Sequence, residues 1–255
     1  MTGELIGTTL LILGGGVLAG IINTMAGGGS LLTIPILIFA GLPATDANGT
    51  NRIFMLIQSA ASAREMHRRA PFPARATLWA TLPTLLGALL GAWLAVGIDA
   101  TQMRTVIGGA LLVALTFTLL SPRTFLKDDA APAPLSAGRQ TLFMFAMFAM
   151  GIYGGFIQAG LGAIIPLAMV ALGRWRLLPA AGAKNVIIAL YTLPVLGIFL
   201  YHGQVQWLPG MTLAVGALLG AKLGALFAHR GGQKVVLAFL ILVTLAAALQ
   251  LIFAE

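Results

Sequence analysis

Cysteine is absent from this 255-residue chain, and charge is scarce. With no cysteine there is no disulfide, no thiolate metal site and no cysteine nucleophile. Asp, Glu, Lys and Arg together make up 9% of the residues, against about 25% in a soluble domain. No charged residue occurs from Leu5 to Thr45, and none occurs over 140–173. Carboxylates are the rarest of all, 7 against 15 basic residues. Histidine is limited to His67, His202 and His229, far apart in sequence, and Asp46 is the only acid in the polar motifs described below. An enzyme needs a positioned acid, base or nucleophile set, and a divalent-metal carrier needs clustered ligands. Neither pattern is here, so no catalytic residue, metal ligand or cofactor is expected.

What the chain has instead is apolar length. Hydrophobic residues make up 59%, the composition of a polytopic membrane protein with room for about eight to ten short crossings. The net charge of +8 sits in short loops such as "AREMHRRAPFPAR" (63–75). That is the distribution of cytoplasmic loops under the positive-inside rule, so the expected partner is a lipid bilayer and not a nucleic acid. The start "MTGELIG" carries no basic region, so no cleaved signal peptide is expected.

The apolar segments fall at about 5–40, 52–66, 76–98, 104–121, 140–172, 185–201, 208–228 and 235–253. A polar, proline-containing linker at 122–139 separates a first membrane repeat (1–121) from a second (140–255). Three similarities carry the repeat. "GALLGA" recurs at 87–92 and 216–221. "AGIINTMAGG" near Gly20 resembles "GGFIQAGLG" near Gly155. "GTN" at 49–51 matches "AKN" at 183–185. The offsets are 129, 135 and 134 residues, in the same order. Two homologous halves are a transporter signature.

Each half opens with a stretch too long for one crossing. Residues 5–40 would form a helix of roughly 54 Å, and 140–173 one of roughly 51 Å, against about 30 Å of hydrocarbon. Both are interrupted near the middle, at Gly27–Gly29 and at Gly160/Gly162. Each is therefore expected to fold back as a re-entrant segment or hairpin with its break at the tip, followed by three crossings. That gives each half a net odd number of crossings and makes the repeat inverted. Loop charge agrees: in this arrangement only Arg52 and Arg104 lie outside and the other thirteen basic residues face the cytoplasm. Parallel halves would split the charges evenly. The expected fold is an all-α polytopic protein of the inner membrane, with both termini outside.

In an inverted repeat the two tips meet near the midplane, where non-helical backbone is tolerated only if it is buried in protein or lines a cavity. Half-helices beginning near Ser30 and Ala163 would aim unsatisfied N–H groups at that place, the ingredients of an anion site. Asn23, Thr24 and Ser30 flank the first break. A second polar cluster, Asn48, Thr50, Asn51 and Arg52, leads into one apolar segment, and Lys184 and Asn185 lead into its repeat partner. Ionisable residues so placed are functional candidates. Gly87, Gly91, Gly216, Gly220 and Gly224 recur at four-residue spacing without polar company, the pattern of close helix packing.

At these residues the chain resembles the sulfite exporter TauE/SafE family of membrane permeases. The resemblance rests on "GxxNxxAGGGSLLTIPxLxxxGLPATxANGTN" in the first half and "GIYGGFIQAGLGxxxPLA…AxAxKN" in the second, and covers nearly the whole chain. It implies export of sulfur-containing anions such as sulfite, sulfoacetate or related organosulfonates. The matching positions are Asn23, Gly27, Gly28, Gly29, Ser30, Asn48, Thr50 and Asn51 in the first motif, and Gln158, Lys184 and Asn185 in the second; Arg52 joins them on charge alone. The second break, "AGLGAIIP", lacks the triple glycine. The oligomer is left open, a homodimer being compatible. An interior without a carboxylate relay points to passive, potential-driven efflux. The competing readings are an ion-coupled importer of the same fold, with Asp46 carrying the proton, and a non-transporting subunit of a larger complex.

Overall fold

A computed structural model describes residues 2–26, 29–69, 71–120, 135–227 and 233–253. The described residues form helices and no strands. The first half holds α1 (Thr2–Ala26), α2 (Ser30–Phe39), α3 (Ala44–Arg69), α4 (Ala74–Val96) and α5 (Ala100–Leu120); the second holds α6 (Ala137–Phe156), α7 (Leu161–Ala171), α8 (Leu177–Tyr201), α9 (Trp207–Phe227) and α10 (Gln233–Phe253). Five of them contain stretches long and apolar enough to cross a membrane: α1, α4, α5, α8 and α9. Most of the 122–139 linker lies outside the described residues, as do Gly27 and Gly28.

Both over-long stretches are broken helices whose second piece lies back along the first. Ile36 of α2 packs where a Gly15 side chain would go, and Gly29 sits against the Ala19 carbonyl and Asn23 Cβ. Any side chain at 29 would collide with the α1 backbone, so the chain needs glycine there to turn so tightly. In the second half, Arg139 at the start of α6 donates from Nε to the Leu172 carbonyl (2.9 Å) and from Nη2 to the Ala171 carbonyl (2.6 Å), at the end of α7. The break between α6 and α7 runs through Gln158 and Gly160, at φ 67° and 75°. Gly160 adopts that left-handed backbone without strain, whereas Gln158 holds it as a non-glycine residue.

The small-residue repeats set the helix pairing. α1 packs on α9, with Gly16 against the Leu213 carbonyl, Gly20 against Ala217, and Gly220 against the Val17 carbonyl. α4 packs on α6 in the same way, with Gly87 against the Phe148 carbonyl, Gly91 against Ile152, and Gly155 against Ala88. In each pair the order of contacts makes the helices parallel. Packing was the expected role of Gly87, Gly91, Gly216 and Gly220, and the distances explain it: a Cβ at any of them would overlap the neighbouring backbone.

At the centre α3 lies against α8. Gly49 meets the Gln204 carbonyl, Arg52 lies over the Phe199 ring, and Gly182 faces Met66, so α3 and α8 run antiparallel. Although α3 has 26 residues, it is too polar to count as a membrane span on composition. Most of Ala44–Ser59 is buried inside the helix assembly, where polar side chains find partners in other helices and not in lipid. The apolar pattern places this segment at 52–66; the helix starts at Ala44, eight residues earlier. Likewise α8 starts at Leu177, before the apolar run at 185. In both cases the polar motif belongs to the helix and does not merely precede it.

Candidate functional site

The two breaks meet. Ser30, the first residue of α2, accepts a hydrogen bond through Oγ from the Gly160 backbone N–H in the second break (3.2 Å), and the Leu31 side chain lies beside Gly160. One of the N–H groups freed by the broken helix is thus satisfied by a side chain from the other half.

On one side of this junction is a small polar cleft. It collects Asn23 from α1, Ser30 from α2, Gly162 from α7, and Lys184 and Asn185 from α8, opposite Gln58, Ser59 and Ser62 of α3. The apolar part of its wall includes Met55 and Ile188. Lys184 donates from Nζ to the Gly162 carbonyl at 2.7 Å. The covalent structure of α7 explains that bond. In a continuous helix the Gly162 carbonyl would accept from the N–H of residue 166, but that residue is Pro166, which has none. A buried carbonyl without a partner is costly, and Lys184 supplies the missing donor. Lysine carries three N–H donors, so the ammonium is anchored and still has two to offer.

On the other side of the junction, Arg52 is fully buried. It donates from Nη1 to the Gly154 carbonyl (2.5 Å) and Gln158 Oε1 (2.8 Å), and from Nη2 to the Gly155 carbonyl (2.8 Å) and Asn48 Oδ1 (3.3 Å). Asn48 Nδ2 in turn donates to the Phe156 carbonyl at 2.8 Å. Gly154, Gly155 and Phe156 are the last residues of α6, whose carbonyls have no donors further along the helix. Arg52 and Asn48 therefore cap the C-terminal end of a broken helix, where the partial negative charge of the helix dipole also stabilises the guanidinium. Gln158 continues the network, its Nε2 donating to Tyr191 Oη (3.0 Å) and Thr192 Oγ1 (2.9 Å).

The residues expected at one site thus divide. Asn23, Ser30, Lys184 and Asn185 come together in the cleft. Asn48, Arg52 and Gln158 form the α6 cap. Thr50 accepts through Oγ1 from the Gln206 N–H at 2.9 Å, tying α3 to the start of α9. Asn51 is buried, with no partner for its Oδ1 among the described residues. Gly29 acts through the tight turn. Arg52 lies buried against the end of α6, held by the Gly154 and Gly155 carbonyls together with Gln158 Oε1 and Asn48 Oδ1. Asp46 accepts from Gln206 Nε2 (3.2 Å) and does not line the cleft.

Sequence reasoning missed Gln58, Ser59 and Ser62. They lie in the apolar segment 52–66, where their spacing of three and four residues is itself a signal: it puts polar groups on one stripe of a buried helix. Among the described residues, no group of three or more His, Asp or Glu residues is placed to hold a metal.

Comparison with known proteins agrees with this architecture. The model of the family described as sulfite exporter TauE/SafE matches residues 12–251. A probable membrane transporter protein, ORF9, of a Sinorhizobium species is 28% identical over 92% of this chain and 88% of its own length. One from Haemophilus influenzae is 29% identical, covering 87% and 85%, and YfcA of Escherichia coli K12, also a probable membrane transporter protein, is 28% identical, covering 92% and 86%. No solved structure matches the chain. A chain of packed apolar helices that matches along nearly its whole length is a multi-pass membrane transporter, not an enzyme, and it belongs to the sulfite exporter TauE/SafE family.

Proposed function

We propose that this chain exports small sulfur-containing anions (sulfite, sulfoacetate or related organosulfonates) across the cytoplasmic membrane, by alternating access of two inverted halves. The observation that carries the reading is the Lys184 cleft at the junction of two broken helices, one from each half. It offers a fixed ammonium, amide and hydroxyl donors, and the N-terminal end of α2, in a place where backbone is irregular. The antiparallel run of the repeat partners α3 and α8 supports inversion, as does the reciprocal pairing of α1 with α9 and α6 with α4. In this arrangement each broken pair is a re-entrant hairpin that enters from one side and ends at the junction.

Orientation follows from charge. The end of the assembly reached by the C-terminus of α3 carries Arg64, Arg68 and Arg75, and by helix direction also Arg174 and Arg176. On the positive-inside rule this end is cytoplasmic, so the termini lie outside. The cleft lies in the cytoplasmic half of α3, while Arg52, Thr50 and Gly49 pack the outer half shut against α6, α8 and α9. On this reading the arrangement corresponds to an inward-facing state of an alternating-access cycle. An anion leaving a cell with a negative interior is driven outward by about 2.3 kcal/mol per charge per 100 mV, so export needs no coupling ion.

Topology is tested by adding single cysteines to the cysteine-free chain. Cysteine in place of Pro71 or Ser136 is expected to stay shielded from an impermeant thiol reagent in intact cells, and cysteine in place of His202 to react. Labelling at Ser136 without labelling at His202 would reverse the orientation; labelling of Pro71 and His202 alike would remove the inverted arrangement. The role of Lys184 has its own test. Pro166→Ala gives the Gly162 carbonyl its intrahelical partner and releases the ammonium. Since alanine is the better helix former, α7 should hold. Binding of methanesulfonate should weaken about fivefold, the worth of one net hydrogen bond of about 1 kcal/mol. Unchanged affinity in calorimetric titration would mean that the Gly162 bond does not position Lys184.

A further inference from the structure

Resting on the transport reading above, we infer that the Lys184 cleft selects a singly charged oxyanion, one ammonium matching one negative charge while neutral donors read the remaining oxygens. Among the described residues, Lys184 is the only ionisable side chain that lines the cleft. Its bond to the Gly162 carbonyl orients the ammonium without neutralising it, because a carbonyl carries no net charge. Opposite it, Gln58, Ser59 and Ser62 add one amide and two hydroxyls, donors that bind oxygen but carry no charge.

The fully buried cation on the central helices cannot complete a second ion pair here. Arg52 lies six residues before Gln58 on α3, about 9 Å along the helix. Both of its Nη atoms are committed to the α6 carbonyls, Gln158 and Asn48. The N-terminus of α2 contributes a dipole equivalent to about half a charge, short of the full unit that a dianion would require. A second negative charge would therefore enter a membrane-embedded cleft without a partner, a situation that proteins avoid. Met55 and Ile188 supply an apolar wall suited to the carbon end of a short alkanesulfonate. Among sulfur oxyanions the cleft fits hydrogen sulfite and monosulfonates best, and it ranks sulfate and sulfoacetate, both dianions at neutral pH, below them.

The test is calorimetric titration of the full chain in lipid nanodiscs with methanesulfonate, sulfate and sulfoacetate, at one pH and one ionic strength. Dimethyl sulfone serves as the neutral isostere. Methanesulfonate is expected to bind at least about tenfold more tightly than either dianion, about 1.4 kcal/mol. It should also bind more tightly than dimethyl sulfone to the parent, a preference that Lys184→Gln should abolish. Sulfate or sulfoacetate binding as tightly as methanesulfonate overturns the charge inference and leaves the transport reading intact, as does a Lys184→Gln variant that keeps the parent's preference. Failure of all three anions to bind overturns both. The comparison of anions on the parent needs no variant to fold.

Discussion

Arg52→Met is expected to destabilise the folded protein by about 3 kcal/mol or more, an effect larger than any change in anion affinity. Methionine comes close to the volume of the arginine stem but offers no donor. The carbonyls of Gly154 and Gly155 and the Oε1 of Gln158 would each lose a charged partner in a fully buried site. An unsatisfied buried polar group costs about 1–3 kcal/mol, and three of them share this site. Arg52→Lys keeps the charge but presents it as a compact point without the planar fork that reaches two carbonyls at once, so it should recover only part of the loss. Thermal unfolding in detergent, with binding measured on whatever remains folded, distinguishes capping from recognition. A variant as stable as the parent that merely fails to bind anions would make Arg52 a substrate ligand and refute the cap.

This expectation differs from what the sequence supports by itself, for a definable reason. The pairing of Arg52 with Lys184 as repeat-related cations is visible in the alignment of "GTNR" with "AKNV" only as a shift of register, since Lys184 aligns with Thr50 and not with Arg52. Which groups surround each cation depends on where the helices break. Arg52 reaches the end of α6, across 102 residues of chain, and no local pattern encodes that. Lys184 reaches Gly162, and there the signal was present: Pro166 stands four residues after a glycine that the break exposes. The breaks in the two long stretches and the close-packing glycines are legible, because glycine runs and four-residue spacing act over one or two helical turns. The helix starts at Ala44 and Leu177 are not. Hydropathy reports what faces lipid, whereas α3 and the first turns of α8 face other helices, so their polar residues read as loop. For the same reason Gln58, Ser59 and Ser62 do not stand out within an apolar run.

Lys184→Gln is expected to have the largest effect on transport, a loss of at least about tenfold in rate at low substrate concentration. Glutamine keeps a donor for the Gly162 carbonyl and so preserves the first turn of α7, but it removes the one charge that lines the cleft among the described residues. Arg52→Met fails by unfolding; Lys184→Gln should remain folded and inserted. The pair of variants therefore separates a structural cation from a binding one. Lys184→Arg, which retains the charge in a bulkier group, should lie between the parent and the glutamine variant.

Flux through liposomes that contain this chain and no other protein tests the central claim most directly. Vesicles loaded with sulfite or methanesulfonate, with an imposed potassium diffusion potential, should lose the anion faster when the lumen is negative. Lys184→Gln vesicles should lose it at the rate of protein-free controls, and a proton or sodium gradient alone should drive no accumulation. Uphill accumulation driven by such a gradient would make the chain a coupled importer, and parent-like flux through Lys184→Gln would show that the anion does not pass by the Lys184 cleft.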